Sequence, residues 1–349
     1  MIISKTVSLV RSQWRLLFIL FFTAFIILAA SLTYTSISGV AYNGSAELAQ
    51  SDFTENDFVS LDGQWEFYWD RLLTPADFEA DTLPVMDTLM TVPGSWGDAN
   101  TSPMSLPEKG VATYRLLLKY PVSIKDPALR IDRVSAAYNL YVNGKLITSV
   151  GKVSDTLSNY EGGYRTVFAS LPTDKNPVEI IIQVANLDYS RGGLRVSPVF
   201  GSLQVLERQA GLLFGLQLFL IGAISIFSIH YFILFIMKLK IKTPVYFSLL
   251  CLTTALRAFV WGETPLFYFF PDIPIHVGIC INYLTEYNLV MILILCIYSI
   301  YPREFNKTGL SIVLLPTVVF DALLLTTTTI MAASNPYFLT QLSHLEINY

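Results

Sequence analysis

The residues best suited to chemistry lie in two short segments. Asp188-Tyr189-Ser190-Arg191-Gly192-Gly193-Leu194-Arg195 sets two arginines and a tyrosine around a glycine pair, and Tyr160 and Tyr164-Arg165 offer two tyrosines and an arginine upstream. Aromatic faces stack on small ligands, and guanidinium forks hold carboxylates or phosphates. That is recognition chemistry, and it makes Trp96, Tyr164, Arg165, Tyr189, Arg191 and Arg195 the candidate ligand-binding residues. Each also has an ordinary structural use. Trp96 suits packing in a turn fixed by Pro93 and Gly94, Gly192-Gly193 supplies a tight turn, and the arginines suit surface ion pairs. Catalysis has little to work with. The chain has 3 histidines, with no metal-ligand cluster, nucleophile elbow or phosphate loop. No enzyme activity, metal or cofactor is expected within this chain.

A second set of polar residues sits where polarity is costly. Arg257, Glu286 and Asp321 fall inside apolar stretches of membrane-spanning length, where an ionisable group marks pairing or function. Arg257 lies about six residues from one helix end and Glu286 about ten from the facing start, a depth difference of roughly 6 Å. The expectation is an interhelical Arg257–Glu286 pair with Asp321 nearby in the bundle interior; the alternative is a snorkelling Arg257 beside a protonated Glu286. Gln217 and His230 suit helix-to-helix hydrogen bonds.

The elements that hold these residues are of two kinds. The chain is 53% hydrophobic and 14% charged, too apolar for a soluble protein and too polar to lie wholly in lipid. Five segments approach the ~20 residues that cross ~30 Å of hydrocarbon. They are Trp14 to Leu32, Ala210 to Met237, Pro244 to Trp261, His276 to Tyr301 and Gly309 to Ala332. Lys5, Arg11 and Arg15 precede the first, Lys238, Lys240 and Lys242 follow the second, and Arg303 and Lys307 follow the fourth. The positive-inside rule then puts the N-terminus and both basic loops inside. Residues 33–209 and the loop 262–275, with Glu263 and Asp272 and no Lys or Arg, fall outside. The first segment reads equally as a cleaved signal peptide or an anchor. A net charge of −4 speaks against nucleic acid. Cys251, Cys280 and Cys296 all lie in apolar segments, so the outer region has no disulfide, which suits a bacterial envelope.

Residues 57–205 alternate like β-strands. Tyr114, Leu116, Leu118 and Tyr120 share one face, with Arg115 and Lys119 opposite; Val178, Ile180, Ile182 and Val184 repeat the pattern. Leu140 to Ile147, with Asn143-Gly144 at its centre, reads as a hairpin closed by a type I′ turn. Short strands between regular turns predict an all-β sandwich. The expected division is 1–32 signal or anchor, 33–56 linker, 57–205 sandwich, 210–332 helical bundle and 333–349 tail.

Five motifs sharpen the fold. Leu61-Asp62-Gly63-Gln64-Trp65-Glu66-Phe67-Tyr68-Trp69 is followed by Val92-Pro93-Gly94-Ser95-Trp96 and Gly110-Val111-Ala112-Thr113-Tyr114-Arg115. Tyr141-Val142-Asn143-Gly144-Lys145 and Gln183-Val184-Ala185-Asn186 come next. In this order they resemble the galactose-binding-like jelly-roll domain of family 2 glycosidases, and more closely the outer domain of bacterial seven-transmembrane receptors with diverse intracellular signalling modules. Pro244-Val245-Tyr246-Phe247, Ala255-Leu256-Arg257, Trp261-Gly262-Glu263, Tyr283-Leu284 and Tyr301-Pro302-Arg303-Glu304-Phe305 resemble that family's first spans. The resemblance implies an extracytoplasmic jelly roll followed by a transmembrane helical bundle in the bacterial inner (plasma) membrane. It also implies a small polar or carbohydrate-like ligand, contact with membrane lipid, and a cytoplasmic effector such as a diguanylate cyclase or histidine kinase. Only four spans follow the outer domain and no effector residues are present, so the chain is expected to be truncated after the fourth span. The competing reading is an envelope interaction module or homodimer. A recessed hollow lined by Tyr164, Tyr189 and Arg191 would favour ligand sensing; a flat apolar patch would favour protein contact.

Overall fold

The computed structural model describes residues 40–334, apart from 50–56, 99, 101–104, 122, 133, 174, 238–241, 272 and 305–306. The segment Trp14 to Leu32, Lys238, Lys240, Asp272 and the tail beyond 334 lie outside the described residues.

Twelve strands form two sheets: β1 (Ala41–Tyr42), β2 (Ser45–Glu47), β3 (Phe58–Ser60), β4 (Gly63–Trp69), β5 (Thr88–Val92), β6 (Gly110–Lys119), β7 (Pro127–Ile131), β8 (Ala137–Val142), β9 (Lys145–Val150), β10 (Val167–Ser170), β11 (Val178–Asn186) and β12 (Val199–Ser202). The larger sheet runs β5-β4-β1-β2-β6-β11-β8-β9 and the smaller β10-β7-β12-β3. Their facing sides enclose one core. Trp65, Tyr114, Leu116, Leu118, Ile180 and Ile182 come from the larger sheet, and Val59, Leu129, Ile131 and Phe200 from the smaller. The alternation in β6 and β11 places these side chains inside, and the two strands pair antiparallel from Gly110↔Asn186 to Leu118↔Val178. On the outer side of β6, Arg115 bonds Glu66 at 2.9 Å and Glu179 at 2.7 Å. A single-turn helix, α1 (Pro75–Phe78), covers this face, entered through a Thr74–Asp77 capping box.

The sandwich starts earlier than the 33–56 linker boundary suggests. β1 and β2 form a hairpin in which Tyr42 pairs with Ser45, and the intervening Asn43 and Gly44 have φ of 47° and 72°. This is the same device as Asn143-Gly144, where φ is 45° and 83° between β8 and β9. Both central residues of such a turn need positive φ, which Asn and Gly supply.

No linker separates sandwich from helices. β12 ends at Ser202 and α2 (Leu203–Met237) starts at the next residue, ahead of the expected Ala210. Leu206 is fully buried against Phe58 and Ala128 at the base of the sandwich. Then follow α3 (Thr243–Val260), the short α4 (Pro265–Phe269), α5 (Ile275–Ile300) and α6 (Lys307–Ser334). Three helices among the described residues, α2, α3 and α5, are long and apolar enough to cross a membrane. In α6 the apolar part among described side chains is shorter, Leu314–Thr326, and Pro316 lies within the helix. The side chains that α2 leaves exposed, including Ile226, Phe227, Ile229 and Ile233, are the kind that hydrocarbon solvates.

Small polar contacts bring the helices together. Ser228 on α2 and Ser248 on α3 donate to each other's backbone carbonyls at 2.9 and 2.8 Å, which requires close backbone approach. Gln217 on α2 donates to the carbonyls of Ala258 and Trp261 and accepts the Glu263 N–H at 2.8 Å, capping the end of α3. His230 is exposed, its ring edge-on to Tyr231.

Candidate ligand site between sandwich and helices

The loop after β11 is held rigid from within. Asn186 is fully buried; its amide donates to the carbonyls of Glu108 at 2.7 Å and Tyr189 at 3.0 Å, and its Oδ1 accepts the Tyr189 N–H. Glu108 Oε2 accepts from Ser95 Oγ at 2.6 Å and from the Gly192 N–H at 2.8 Å. A Cβ on Gly192 would lie 2.4 Å from the Trp96 ring, so only glycine lets the loop pass so close. Gly193, at φ +118°, exchanges backbone hydrogen bonds with Ser135.

That loop reaches the helices. Asp188 Oδ2 lies 3.2 Å from His276 Nε2 at the start of α5, while Asp188 Oδ1 accepts the Tyr160 hydroxyl at 2.7 Å. Burial pushes the Asp188 carboxyl upward, but hydrogen bonds from His276 and Tyr160 outweigh it and hold the group below the usual carboxylate range. Burial, followed by the adjacent Asp188, pushes the Tyr160 phenol up. Tyr189 and Ser190 meet the Tyr283 hydroxyl through their side chains. On the far side of the seam, Arg130 on β7 bonds Asp132 at 2.8 Å and Glu263, in the loop after α3, at 3.1 Å. Tyr164 packs on Phe267 of α4 with ring centroids 5.1 Å apart.

Between these ties lies a cavity of about 270 Å³. Val134, Ser135, Ala136, Tyr164, Tyr189 and Arg195 line it from the sandwich. Trp261, Phe267, Ile275, Gly278, Asn282 and Tyr283 line it from the helices. Half of the candidate binding residues, Tyr164, Tyr189 and Arg195, therefore share one recess. The other three do not reach it. Trp96 is wholly buried, donates from Nε1 to Tyr114 Oη at 2.7 Å and packs edge-on against Trp69, so it is a core residue. Arg165 and Arg191 are exposed to solvent and absent from the cavity wall. The hollow is thus lined by Arg195 in place of Arg191.

No protein-family model matches the sequence, and no curated protein matches it. Solved structures similar to this chain include the Ruminococcus gnavus β-glucuronidase, 22% identical over 41% of this chain and 28% of that one, TM-score 0.32. An uncultured Clostridium sp. β-glucuronidase is 20% identical over 42% of this chain and 29% of that one, TM-score 0.31. A Bifidobacterium dentium β-glucuronidase complexed with coumarin-3-O-glucuronide is 23% identical over 37% and 20%, TM-score 0.28. The chain spans less than a third of the length of each of these proteins.

Within the bundle, Arg257 Nη1 on α3 stands 3.2 Å from Glu286 Oε2 on α5, with Glu286 about half exposed on the helix surface. Asp321 on α6 does not join them; its Oδ2 accepts from Asn288 Nδ2 at 2.8 Å. Sequence reasoning missed Asn288, and it missed the seam pairs Arg130–Glu263 and Asp188–His276. Their members are far apart in the chain (133 positions for Arg130 and Glu263), and no periodicity links them. The carboxylate of Glu263 in a loop without Lys or Arg was the one available hint.

Proposed function

We propose that this chain is the sensory part of a bacterial membrane receptor. The sandwich, a galactose-binding-like jelly roll, lies on the extracytoplasmic side of the inner membrane. It binds a small polar ligand, of which a carbohydrate is one class, and the helices carry the response to a cytoplasmic effector outside this sequence. The observation that carries this reading is the position of the cavity. Its wall is divided between sandwich loops and helix ends, so an occupant contacts both and its affinity depends on their relative placement. A ligand that favours one placement shifts the population toward it, which is all that transmission requires. The direct junction of β12 to α2, with Leu206 buried in the sandwich, supports the same reading.

The test is a thermal-shift screen of small polar compounds on the purified chain in nanodiscs, followed by hydrogen exchange with each hit. A ligand that slows exchange at both Asp188–Leu194 and the first turns of α5, and whose effect is lost in Arg195→Ala, supports the reading. Stabilisation that survives Arg195→Ala and Tyr189→Ala would reject the seam as the site. The second reading, an envelope protein contact or homodimer, draws on exposed Leu146 and Ile147 on the edge strand β9. Dimer formation lost in Leu146→Lys would favour it.

A further inference from the structure

We propose that the seam cavity selects a small amphipathic carboxylate, with an aromatic or short aliphatic body, over a sugar. The inference rests on reading this cavity as the ligand site and narrows what enters it.

Size sets the first limit. A cavity of about 150 Å³ accommodates benzene, so about 270 Å³ accommodates about a dozen non-hydrogen atoms. A monosaccharide or a small aryl acid fits, and an oligosaccharide does not. Wall chemistry separates those two. Val260, Phe267, Ile275 and Ile279 present hydrocarbon from the helices, and Val134 and Val196 present it from the sandwich. A hexose carries hydroxyls around its whole rim. Against such walls several would lose water and gain no partner, whereas an apolar body loses nothing there.

One polar demand remains unmet in the lining. The Arg195 guanidinium lies 6.0 Å from the Tyr189 ring centroid and has no ion pair among the described residues. Polar groups near it are engaged: Tyr189 with Tyr283, and Asp188 with His276 and Tyr160. No carboxylate lines the cavity to repel an anion. A half-buried guanidinium beside hydrocarbon, without a carboxylate partner, calls for one negative charge. A monocarboxylate meets that demand, with its apolar body against the hydrocarbon.

The experiment is isothermal titration calorimetry on the full chain in nanodiscs with three probes of matched size. These are 4-hydroxyphenylacetate, the uncharged 4-hydroxyphenethyl alcohol, and D-glucuronate. The expected result is saturable binding of 4-hydroxyphenylacetate about tenfold or more tighter than either other probe. Arg195→Gln should erase the preference for the acid over the alcohol, and Arg195→Lys should keep part of it. The comparison among probes needs no variant, so it stands even if Arg195→Gln folds poorly. Arg195-dependent binding of glucuronate without binding of 4-hydroxyphenylacetate overturns the ligand class and leaves the cavity as a ligand site. Equal binding of acid and alcohol overturns the role of Arg195. No binding of any probe at millimolar concentration overturns the ligand class and removes the support for the site itself.

Discussion

Arg130 Nη2, on strand β7, lies 3.1 Å from Glu263 Oε2, in the loop that joins α3 to α4. The arginine side chain is only 9% exposed, and it also holds Asp132 just past the end of β7. One guanidinium therefore clamps the sandwich to the helices with two carboxylates. Removing it leaves both carboxylates half-desolvated. Arg130→Met should destabilise the sandwich–helix seam by about 3 kcal/mol, the low end for breaking a buried pair because Glu263 retains some water. Hydrogen exchange should rise in the α3–α5 loop while β6 and β11 stay protected. Unchanged exchange in that loop would show that the pair does not hold the seam.

The second tie predicts a pH response. Asp188 is held below the usual carboxylate range in the folded state. A depressed carboxyl contributes stability that is fully present above its unfolded value, near 3.8, and is lost as pH falls through its folded value. Acidification below about pH 4 should therefore loosen the loop after β11 from α5. Asp188→Asn should remove this component of the acid transition. The check is exchange at Tyr189–Leu194 from pH 6 to about pH 3; parallel profiles for both proteins would contradict it.

The membrane pair predicts non-additivity. Arg257 and Glu286 are 3.2 Å apart on neighbouring helices. Glu286→Gln or Arg257→Leu alone should each lower stability in detergent by up to ~1–2 kcal/mol. The double variant should lose less than the sum of the two, since neither charge then lacks its partner. Additive losses would mean the two groups act independently.

Gly192 should not tolerate a methyl group. Its Cβ would sit 2.4 Å from the Trp96 ring, which is itself fixed by the hydrogen bond to Tyr114. Gly192→Ala should cost about 1–3 kcal/mol by overpacking and should shift the Tyr189–Arg195 loop. Urea unfolding followed by Trp fluorescence measures the first effect, and faster hydrogen exchange at Tyr189–Leu194 reports the second.

Leu206→Ala tests the rigid junction. Leu206 is fully buried between Phe58 and Ala128 although it belongs to α2. The change should cost about 2–4 kcal/mol and raise exchange in the first turns of α2. A stable protein with an unchanged junction would leave the sandwich and α2 mechanically separate.

Much of this architecture follows from the sequence alone, and the reason is locality. The faces of β6 and β11 follow from alternation within each strand, and the long apolar helices follow from length and composition. The Asn143-Gly144 turn follows from two residues tolerant of positive φ. Asn43-Gly44 carries the same signal, yet strands of two and three residues have too little alternation to display it, so β1 and β2 were legible only through that turn. What the tertiary structure alone decided is which distant residues meet. Arg191 and Arg195 are equivalent as sequence; the path of the loop through Gly192 and Gly193 directs one to solvent and the other into the cavity wall. Trp96 looked available to a ligand until the sandwich closed over it. Arg130 and Glu263 acquire a shared role only when β7 and the helix loop are packed together. Periodicity records the environment of each face. It carries no term for the partner across a seam, and here the seam holds the candidate site.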